Sequence, residues 1–337
     1  MPYKKIFMKV IIPVAGIGKR LRPHTHTTPK VLIKVAGKTI IEYILDEIIN
    51  FDEIDEIIFI VGYLGEQIEN FIKRKYNSLK KFRFINQEAQ LGLGHAIYLA
   101  SDYVKDNEPV IIILGDTIFK LDFKELIKSN KNLIAVKEVN NPKRFGIVFL
   151  RDSKMEIKKL VEKPDKPESN LAIVGIYYIK DSNKLFEKLD YIIKNDIKTN
   201  NEYQLTDGLQ KMLEEGVVIE AFRIEDWYDC GKPETLLKTN KILLKEYGNN
   251  LKKEGSIIIP PVYISESAQI IKSIIGPNVS IGDDVIIEDS IISNSIINDE
   301  ATVRNLLLRD SIIGRDVEVN GVYRTLNIGD SSEVNLG

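Results

Sequence analysis

The chain has 337 residues, and its 47 Lys and Arg side chains nearly balance its 49 Asp and Glu side chains. The length exceeds one average domain, so we expect two domains. The balanced charge excludes a broad basic surface for coating nucleic acid. The longest segment without Asp, Glu, Lys or Arg runs from residue 89 to residue 101, which is too short for the roughly 20 apolar residues of a membrane span.

The cysteine content indicates the redox setting. Cys230 is the single cysteine of the sequence, so no internal disulfide is expected and a reducing, cytoplasmic location fits best. The first residues run directly into a strand pattern without a small-residue cleavage site, which predicts that there is no signal peptide. One Cys and three His also offer no ligand spacing for zinc.

Up to about residue 247, short apolar runs rich in β-branched residues alternate with segments of helical period. This pattern predicts a doubly wound α/β fold with a mostly parallel sheet. The predicted strands are 9–14, 56–61, 81–85, 109–114 and 132–136, and the predicted helices include 40–50, 95–104, 205–213 and 233–247. Closely spaced β runs between residues 145 and 180 predict an antiparallel insertion, which makes the sheet mixed.

The composition changes after a polar segment, residues 248–255, that has Gly at both ends. We therefore place a domain boundary there, giving domains 1–247 and 248–337. Apolar residues then recur at intervals of six: Val279, Val285, Ile291, Ile297 and Val303. This period predicts a small left-handed parallel β-helix in which each of these side chains points inward.

The first predicted strand runs into a glycine-rich loop, AGIGKR, at residues 15–20. Gly16 and Gly18 would let backbone N–H groups approach an anion, and Arg20 and Lys30 could neutralise phosphate charge. The loop is neither a Walker A sequence nor GxGxxG. Taken alone, it is equally well explained as a tight turn with exposed basic residues.

Two aspartates are candidate ligands for a hard cation. Asp116 follows an apolar strand, at the carboxyl end where open α/β sheets usually bind ligands. Asp229 lies in a short run that ends at Gly231. From position alone, Asp116 is equally well explained as an N-cap of the following turn. Asp229, taken alone, would more often be a turn residue.

Several segments, in order along residues 10–240, resemble the sugar-1-phosphate nucleotidylyltransferases. They are PVAGIGKRLRPHTHTTPK, NQEAQLGLGHA, LGD, VEKP, VGIYYI, EYQLTD and WYDCG. The six-residue repeat and the end of the chain, LNIGDSSEVNL, further resemble the long form of glucose-1-phosphate thymidylyltransferase. The resemblance therefore covers nearly the whole chain.

This resemblance implies a Mg²⁺-dependent reaction in which glucose 1-phosphate attacks the α-phosphate of dTTP, giving dTDP-glucose and pyrophosphate. It implies catalytic roles for Arg20, Lys30 and Lys163, and metal binding by Asp116 and Asp229. It assigns the nucleotide to Ala15, Gly16, Gly18, Gln87 and Gly92, and the sugar to Gly146, Glu162 and Gly175.

Other functions remain open at this point. The segments LGLGHA and EYQLTD also resemble UTP-glucose-1-phosphate uridylyltransferases, and one methyl group separates thymine from uracil. A bifunctional enzyme with an acetyltransferase β-helix is disfavoured, because every His precedes residue 96. A non-catalytic nucleotide-sugar-binding subunit is disfavoured because each proposed catalytic position keeps suitable chemistry. We expect small-molecule substrates, a homo-oligomer, and a β-helix that serves assembly or regulation.

Overall fold

The computed structural model describes residues 7–76, 79–105, 107–151, 155–249 and 251–322. They form two compact units. The larger contains the chain up to Ile33 together with Lys38–Leu236, and the smaller contains Lys34–Gly37 and the chain from Leu237 onward. The domain boundary at 248–255 stays a prediction of the sequence. Among the described residues, no helix has both the length and the apolar character needed to span a membrane.

The chain up to residue 247 contains thirteen strands and seven helices within the described residues. The strands are β1 (Met8–Pro13), β2 (Lys34–Val35), β3 (Lys38–Thr39), β4 (Ile54–Val61), β5 (Lys81–Asn86), β6 (Val110–Ile113), β7 (Thr117–Phe119), β8 (Asn132–Glu138), β9 (Gly146–Leu150), β10 (Ile157–Glu162), β11 (Leu171–Ile179), β12 (Ile219–Arg223) and β13 (Trp227–Asp229). The helices are α1 (Ile40–Ile48), α2 (Gly65–Tyr76), α3 (Leu93–Tyr98), α4 (Phe123–Lys128), α5 (Ser182–Lys194), α6 (Leu205–Glu214) and α7 (Pro233–Tyr247).

A mixed sheet of nine strands organises the larger unit. Its main order is β10-β9-β11-β6-β1-β4-β5, with β8 pairing to β11 and β12. Strand β1 is parallel to β4 and β6, whereas β11 is antiparallel to β6, β8 and β9. Val10, Ile11 and Ile12 are all fully buried, as expected for a central strand with both faces covered. The predicted mixed α/β fold and its antiparallel insertion are confirmed.

Helix boundaries show where local contacts decide the ends. Helix α1 begins after Thr39, whose side chain and that of Glu42 form a capping box. The helix predicted at 95–104 is instead α3, which begins at Leu93, followed by a separate 3₁₀ turn at Ser101–Tyr103. Its last turn tightens because the N–H of Ala100 bonds the carbonyl of Ile97, three residues back rather than four.

The C-terminal chain forms three sheets of four parallel strands each within the described residues, consistent with the predicted left-handed β-helix. The first sheet contains β14 (Ile257–Ile258), β17 (Ile274–Ile275), β20 (Ile291–Ser293) and β23 (Leu307–Arg309). The second contains β15 (Val262–Ile264), β18 (Val279–Ile281), β21 (Ile296–Ile297) and β24 (Ile312–Ile313). The third contains β16 (Gln269–Ile271), β19 (Ile286–Glu288), β22 (Thr302–Arg304) and β25 (Glu318–Asn320).

The β-helix corrects one position of the six-residue pattern. Val279, Val285, Ile297 and Val303 are buried as predicted, but Ile291 is 45% exposed and the fully buried residue is its neighbour Ile292. The register explains this difference. Ile274 pairs with Ile291 and Ile291 with Leu307, so successive coils contain 17 and then 16 residues. A strict period of six would give coils of 18 residues, since each coil has three sides. Because these coils are shorter, the inward-facing positions shift along the sequence from one coil to the next.

The short segment Lys34–Gly37 is held within the smaller unit by polar and aromatic contacts. Lys34 Nζ donates to Asp283 Oδ2 at 2.7 Å and to Asp299 Oδ1 at 2.8 Å. Burial works to lower the pKa of Lys34, but hydrogen bonds and charge from both aspartates overcome it, so the pKa is raised. At Gly37, whose φ is +90°, a Cβ would lie 2.4 Å from the Tyr263 ring, so only glycine fits there.

Candidate active site

A cavity of about 390 Å³ opens where the chain leaves parallel strands β1, β5 and β6. This is the carboxyl edge of the sheet, where α/β folds usually bind ligands. Its lining includes eight of the predicted site residues: Ala15, Gly16, Gly18, Arg20, Lys30, Gln87, Gly92 and Asp116. The structure therefore brings the predicted nucleotide residues together with two predicted catalytic cations and one predicted metal ligand.

The glycine-rich loop is braced on one side and open on the other. Gly18 has φ +69° and its carbonyl accepts a hydrogen bond from Thr25 Oγ1 at 3.0 Å. Gln90 Nε2 donates to the carbonyl of Ala15 at 3.1 Å. By contrast, a Cβ added to Gly16 would meet no atom within 4 Å. Packing of the chain therefore does not require glycine at residue 16, although the loop around it is fixed.

Lys30 and Asp116 form the central ion pair of the cavity. Lys30 Nζ lies 2.7 Å from Asp116 Oδ2, and the Lys30 side chain is only 13% exposed. The positive charge of Lys30 lowers the pKa of Asp116 and outweighs burial, which acts to raise it; Arg20 lowers it further. Asp116 is therefore a carboxylate at neutral pH, set between two cations.

This ion pair predicts a pH dependence of stability. Because the folded-state pKa of Asp116 lies below its ordinary value of 3.8, the stabilisation is complete above about pH 5 and is lost as the pH falls through the folded-state pKa. Lys30→Met removes the pair, so denaturant unfolding should give a lower free energy of unfolding than in the wild type, and this difference should be largest near pH 7. The difference should become smaller towards pH 3.

The control for this measurement is Lys38→Met. Lys38 pairs with Asp46 at 2.8 Å, but both side chains are at least 40% exposed, so solvent screens the interaction. The difference in stability between Lys38→Met and the wild type should therefore be small at every pH. A difference for Lys30→Met that stays constant between pH 7 and pH 3 would contradict the coupling of Lys30 to Asp116.

Asp229 lies beside Asp116 because two short strands pair. Strand β13 is antiparallel to β7, with Asp229 opposite Thr117, and the N–H of Cys230 bonds the carbonyl of Asp116 at 3.2 Å. Asp229 Oδ1 accepts from the N–H of Gly231 at 2.8 Å. A Cβ on Gly231 would lie 2.9 Å from Arg20 Nη2, so Arg20 reaches the same corner of the cavity.

Gln87 has a fixed orientation in the cavity wall. Its side chain is buried, and its Nε2 donates to the carbonyl of Gly92 at 3.2 Å and lies 3.0 Å from His95 Nδ1. With both amide hydrogens directed at these partners, Oε1 is the remaining hydrogen-bonding atom. Gly92 has φ +113° and a Cβ there would lie 2.6 Å from the carbonyl of Tyr203. Glycine at residue 92 is thus required by backbone packing.

The predicted sugar residues lie beside the cavity rather than in its lining. Glu162 Oε2 accepts from Thr206 Oγ1 at 2.7 Å, and a Cβ on Gly146 would lie 3.0 Å from the same oxygen. Gly175, with φ +87°, packs against Leu114, where a Cβ would be 2.8 Å from the side chain. Gly146 and Glu162 are therefore adjacent, whereas Gly175 supports a residue of the cavity wall.

Lys163 is the predicted catalytic residue that the structure brings least into the cavity. Its side chain is 46% exposed and its Nζ pairs with Glu162 Oε1 at 3.0 Å. Its φ is +39°, in a left-handed conformation that is uncommon outside glycine, and its N–H bonds the carbonyl of Phe145 at 3.1 Å. Lys163 thus lies on the sugar side of the site, next to the predicted sugar carboxylate.

Sequence reasoning missed four side chains that the structure places around the site. Gln90 braces the glycine-rich loop, and Thr206 holds Glu162. Arg144 Nη2 donates to Asp229 Oδ2 at 3.0 Å. Burial raises the pKa of Tyr177, and the charges of Glu162 and Asp116 raise it further. Gln90, Thr206 and Tyr177 lie inside the quoted motifs NQEAQLGLGHA, EYQLTD and VGIYYI, which is the signal that could have identified them, whereas Arg144 lies outside every quoted motif.

Comparison with known proteins identifies the class of protein to which this chain belongs. A family model described as nucleotidyl transferase matches residues 9–246, and the chain belongs to this family. It is 31% identical to the low-salt glycan biosynthesis nucleotidyltransferase Agl11 of Haloferax volcanii, over 98% of this chain and 100% of that protein. It is 28% identical to the glucose-1-phosphate thymidylyltransferase of Streptomyces antibioticus, over 98% of this chain and 99% of that protein.

Other similar proteins match a smaller share of this chain. The bifunctional protein GlmU of Methanocaldococcus jannaschii is 37% identical to this chain. The matched region covers 77% of this chain and 61% of that protein. Among solved structures, UDP-glucose pyrophosphorylase complexed with UDP-glucose is similar, with a TM-score of 0.60 and 26% identity, over 72% of this chain and all of that one. The predicted family and fold class are confirmed by these findings.

Proposed function

We propose that this chain condenses dTTP with glucose 1-phosphate, giving dTDP-glucose and pyrophosphate. The observation that carries the proposal is the convergence of a glycine-rich loop, two cations and an ionised carboxylate on one cavity: Gly16, Arg20, Lys30 and Asp116. The similarity to glucose-1-phosphate thymidylyltransferase over 98% of the chain supports these substrates.

In this reaction a phosphate oxygen of the sugar 1-phosphate attacks the α-phosphorus of the nucleotide, in line with the leaving pyrophosphate. Both reactants are anions, so charge neutralisation and positioning dominate the barrier. Arg20 and Lys30 bind the triphosphate and stabilise the charge that moves onto pyrophosphate. Lys163 binds the sugar phosphate. No covalent intermediate with the protein is needed, and the attacking phosphate requires no general base at neutral pH.

Asp116 and Asp229 are the residues that would hold Mg²⁺. Members of this family use a divalent metal. Among the described residues there is no group of three or more His, Cys, Asp and Glu that could hold a metal ion. Two carboxylates on neighbouring chain segments nevertheless suit Mg²⁺, which keeps several waters and takes substrate phosphate oxygens as further ligands. The bound ion would neutralise phosphate charge.

Gln87 supports recognition of a pyrimidine with an imide edge. Its Oε1 can accept the imide N–H, while the hydrogen bonds of Nε2 to Gly92 and His95 fix the side-chain orientation. Burial lowers the pKa of His95, so the ring is neutral near pH 7 and can accept from the Gln87 amide. This edge is the same in thymine and uracil, so it selects the class of base rather than its methyl group.

A uridylyltransferase is therefore the second candidate, favoured by the similarity to UDP-glucose pyrophosphorylase. The two are separated by measuring pyrophosphate release over a grid of dTTP, UTP, GTP, CTP and ATP against several sugar 1-phosphates. We expect the highest kcat/KM with dTTP and glucose 1-phosphate. Higher kcat/KM with UTP would establish the uridylyl alternative. Absence of turnover with every pair would favour a nucleotide-sugar-binding regulatory subunit.

The open face of Gly16 gives a specific prediction for nucleotide binding. Gly16→Ala should leave the thermal unfolding temperature unchanged, since the added methyl meets no protein atom within 4 Å. It should raise the KM for the nucleotide about tenfold, the cost of displacing a phosphate from one backbone N–H. The KM for the sugar phosphate should stay constant. A large loss of stability, or an unchanged nucleotide KM, would contradict the phosphate role of the loop.

A further inference from the structure

Arg144 occupies the junction between the predicted metal carboxylates and the predicted sugar residues. It ends the short 3₁₀ turn Pro142–Arg144 and precedes Gly146 by two residues. The following Phe145 packs edge-on against Trp227 of β13, with ring centroids 5.5 Å apart. The carbonyl of Phe145 also accepts from the N–H of Lys163. Arg144 is therefore fixed between the strand that carries Asp229 and the segment that carries Lys163.

The hydrogen bonding of Arg144 is incomplete within the described residues. Its Nη2 donates to Asp229 Oδ2 at 3.0 Å, and the side chain is 28% exposed. Its Nε is buried and has no hydrogen-bond partner in the described part of the chain. A buried donor without a partner carries a desolvation cost. Arginine offers several donors in a planar fork, an arrangement that matches phosphate oxygens.

The neighbouring cation is less suited to act alone. Lys163 Nζ is paired with Glu162 at 3.0 Å, so part of its charge is neutralised by the carboxylate predicted to bind sugar hydroxyls. A sugar 1-phosphate is a dianion at neutral pH and approaches a second anion in the proposed reaction. A further cation on this side would lower the repulsion between them.

We propose that Arg144 is a second phosphate-binding residue of the sugar 1-phosphate site, offering Nη1, the terminal nitrogen that does not donate to Asp229, to the phosphate. This inference rests on the proposed function, because it takes a sugar 1-phosphate as the ligand. Arg144 then contacts the attacking phosphate, Lys163 contacts it from the adjacent segment, and Glu162 is left to accept hydrogen bonds from the sugar.

The test compares Arg144→Met, which removes the charge and every donor of the guanidinium, with Arg144→Lys, which keeps a charge but not the planar fork. Arg144→Met should raise the KM for glucose 1-phosphate at least about tenfold, the effect of one charge-assisted hydrogen bond. The KM for dTTP should change by less than about twofold. Arg144→Lys should lie between Arg144→Met and the wild type.

The matched control is Arg223→Met, because Arg223 is 57% exposed and pairs only at the surface with Glu138; its KM values should equal those of the wild type. If Arg144 merely held Asp229, both KM values and the Mg²⁺ dependence would shift together, and this result would overturn the proposal. An unchanged KM for glucose 1-phosphate in Arg144→Met would do the same.

Calorimetry separates this proposal from the proposed function. Glucose 1-phosphate is titrated into wild type and variants in the presence of Mg²⁺ and α,β-methylene dTTP, which cannot react. Binding that is at least about tenfold weaker in Arg144→Met supports the proposal even if no substrate pair turns over. Equal binding in wild type and Arg144→Met, or no binding by the wild type, overturns it.

Discussion

Replacing Asp116 by Asn should lower kcat by about 10²–10³-fold, the usual cost of losing one charge-stabilising group at a reacting phosphate or carbonyl. The substitution removes a proposed metal ligand and the partner of Lys30, 2.7 Å away. Asp229→Asn should have an effect of the same order, because Asp229 lies on the strand paired with the segment after Asp116. The measurement is pyrophosphate release at saturating dTTP and glucose 1-phosphate.

The control is Asp55→Asn, an exposed aspartate of β4, which should retain full activity. Both site variants should also need more Mg²⁺ for half-maximal rate, and calorimetric titration with Mg²⁺ should show weaker binding. Full activity of Asp116→Asn and Asp229→Asn at saturating Mg²⁺ would refute the metal assignment. Circular dichroism spectra that match the wild type would show that lost activity does not reflect unfolding.

Replacing Glu56 by Ala should produce the largest loss of stability, about 3 kcal/mol, because it strips a buried cation of its partner. Glu56 is fully buried and accepts from Lys9 Nζ and Arg83 Nε, both at 2.9 Å. Lys9 is also buried, in the central strand β1. A second carboxylate, that of Glu108, lies 3.9 Å from Lys9 Nζ and would still partly compensate its charge. The expected loss of stability is therefore at the lower end of the usual range. Urea unfolding at pH 7 measures the change.

Glu138→Ala is the matched control for this prediction. Glu138 pairs with Arg223 at 2.7 Å, but both side chains are more than half exposed, so its loss should cost less than about 1 kcal/mol. Similar losses for the two variants would contradict the special cost of the buried pair. A double variant, Lys9→Met with Glu56→Leu, should recover part of the lost stability, since it removes both charges together.

Periodicity in the sequence was enough to predict the mixed α/β sheet and the β-helix. The predicted strands at 9–14 and 56–61 match β1 and β4 because central strands are continuous apolar runs. Periodicity was insufficient at Ile291. Coil length in the β-helix depends on the register between neighbouring coils, and a local repeat of six does not contain that register.

The clustering of the candidate-site residues was predictable where these residues follow parallel strands. Gln87 comes directly after β5 and Asp116 shortly after β6, so both fall on the carboxyl edge of the sheet. Asp229 reaches them through the antiparallel pairing of β7 with β13, whose residues are about 110 positions apart. Arg144 depends on that same pairing, because Asp229 is its partner. Such long-range contacts leave no local signal in a single sequence.

The contacts of Lys34 limit how freely the two parts of this chain can be recombined during evolution or by engineering. Lys34 belongs with the smaller unit, where Asp283 and Asp299 hold it, yet in the chain it is only four residues after Lys30. A fragment ending at residue 247 would keep Lys34 but lose both aspartates. If the β-helix were exchanged for that of a relative, Lys34 would keep its native environment only on one condition. The new β-helix would have to carry carboxylates at the positions of Asp283 and Asp299.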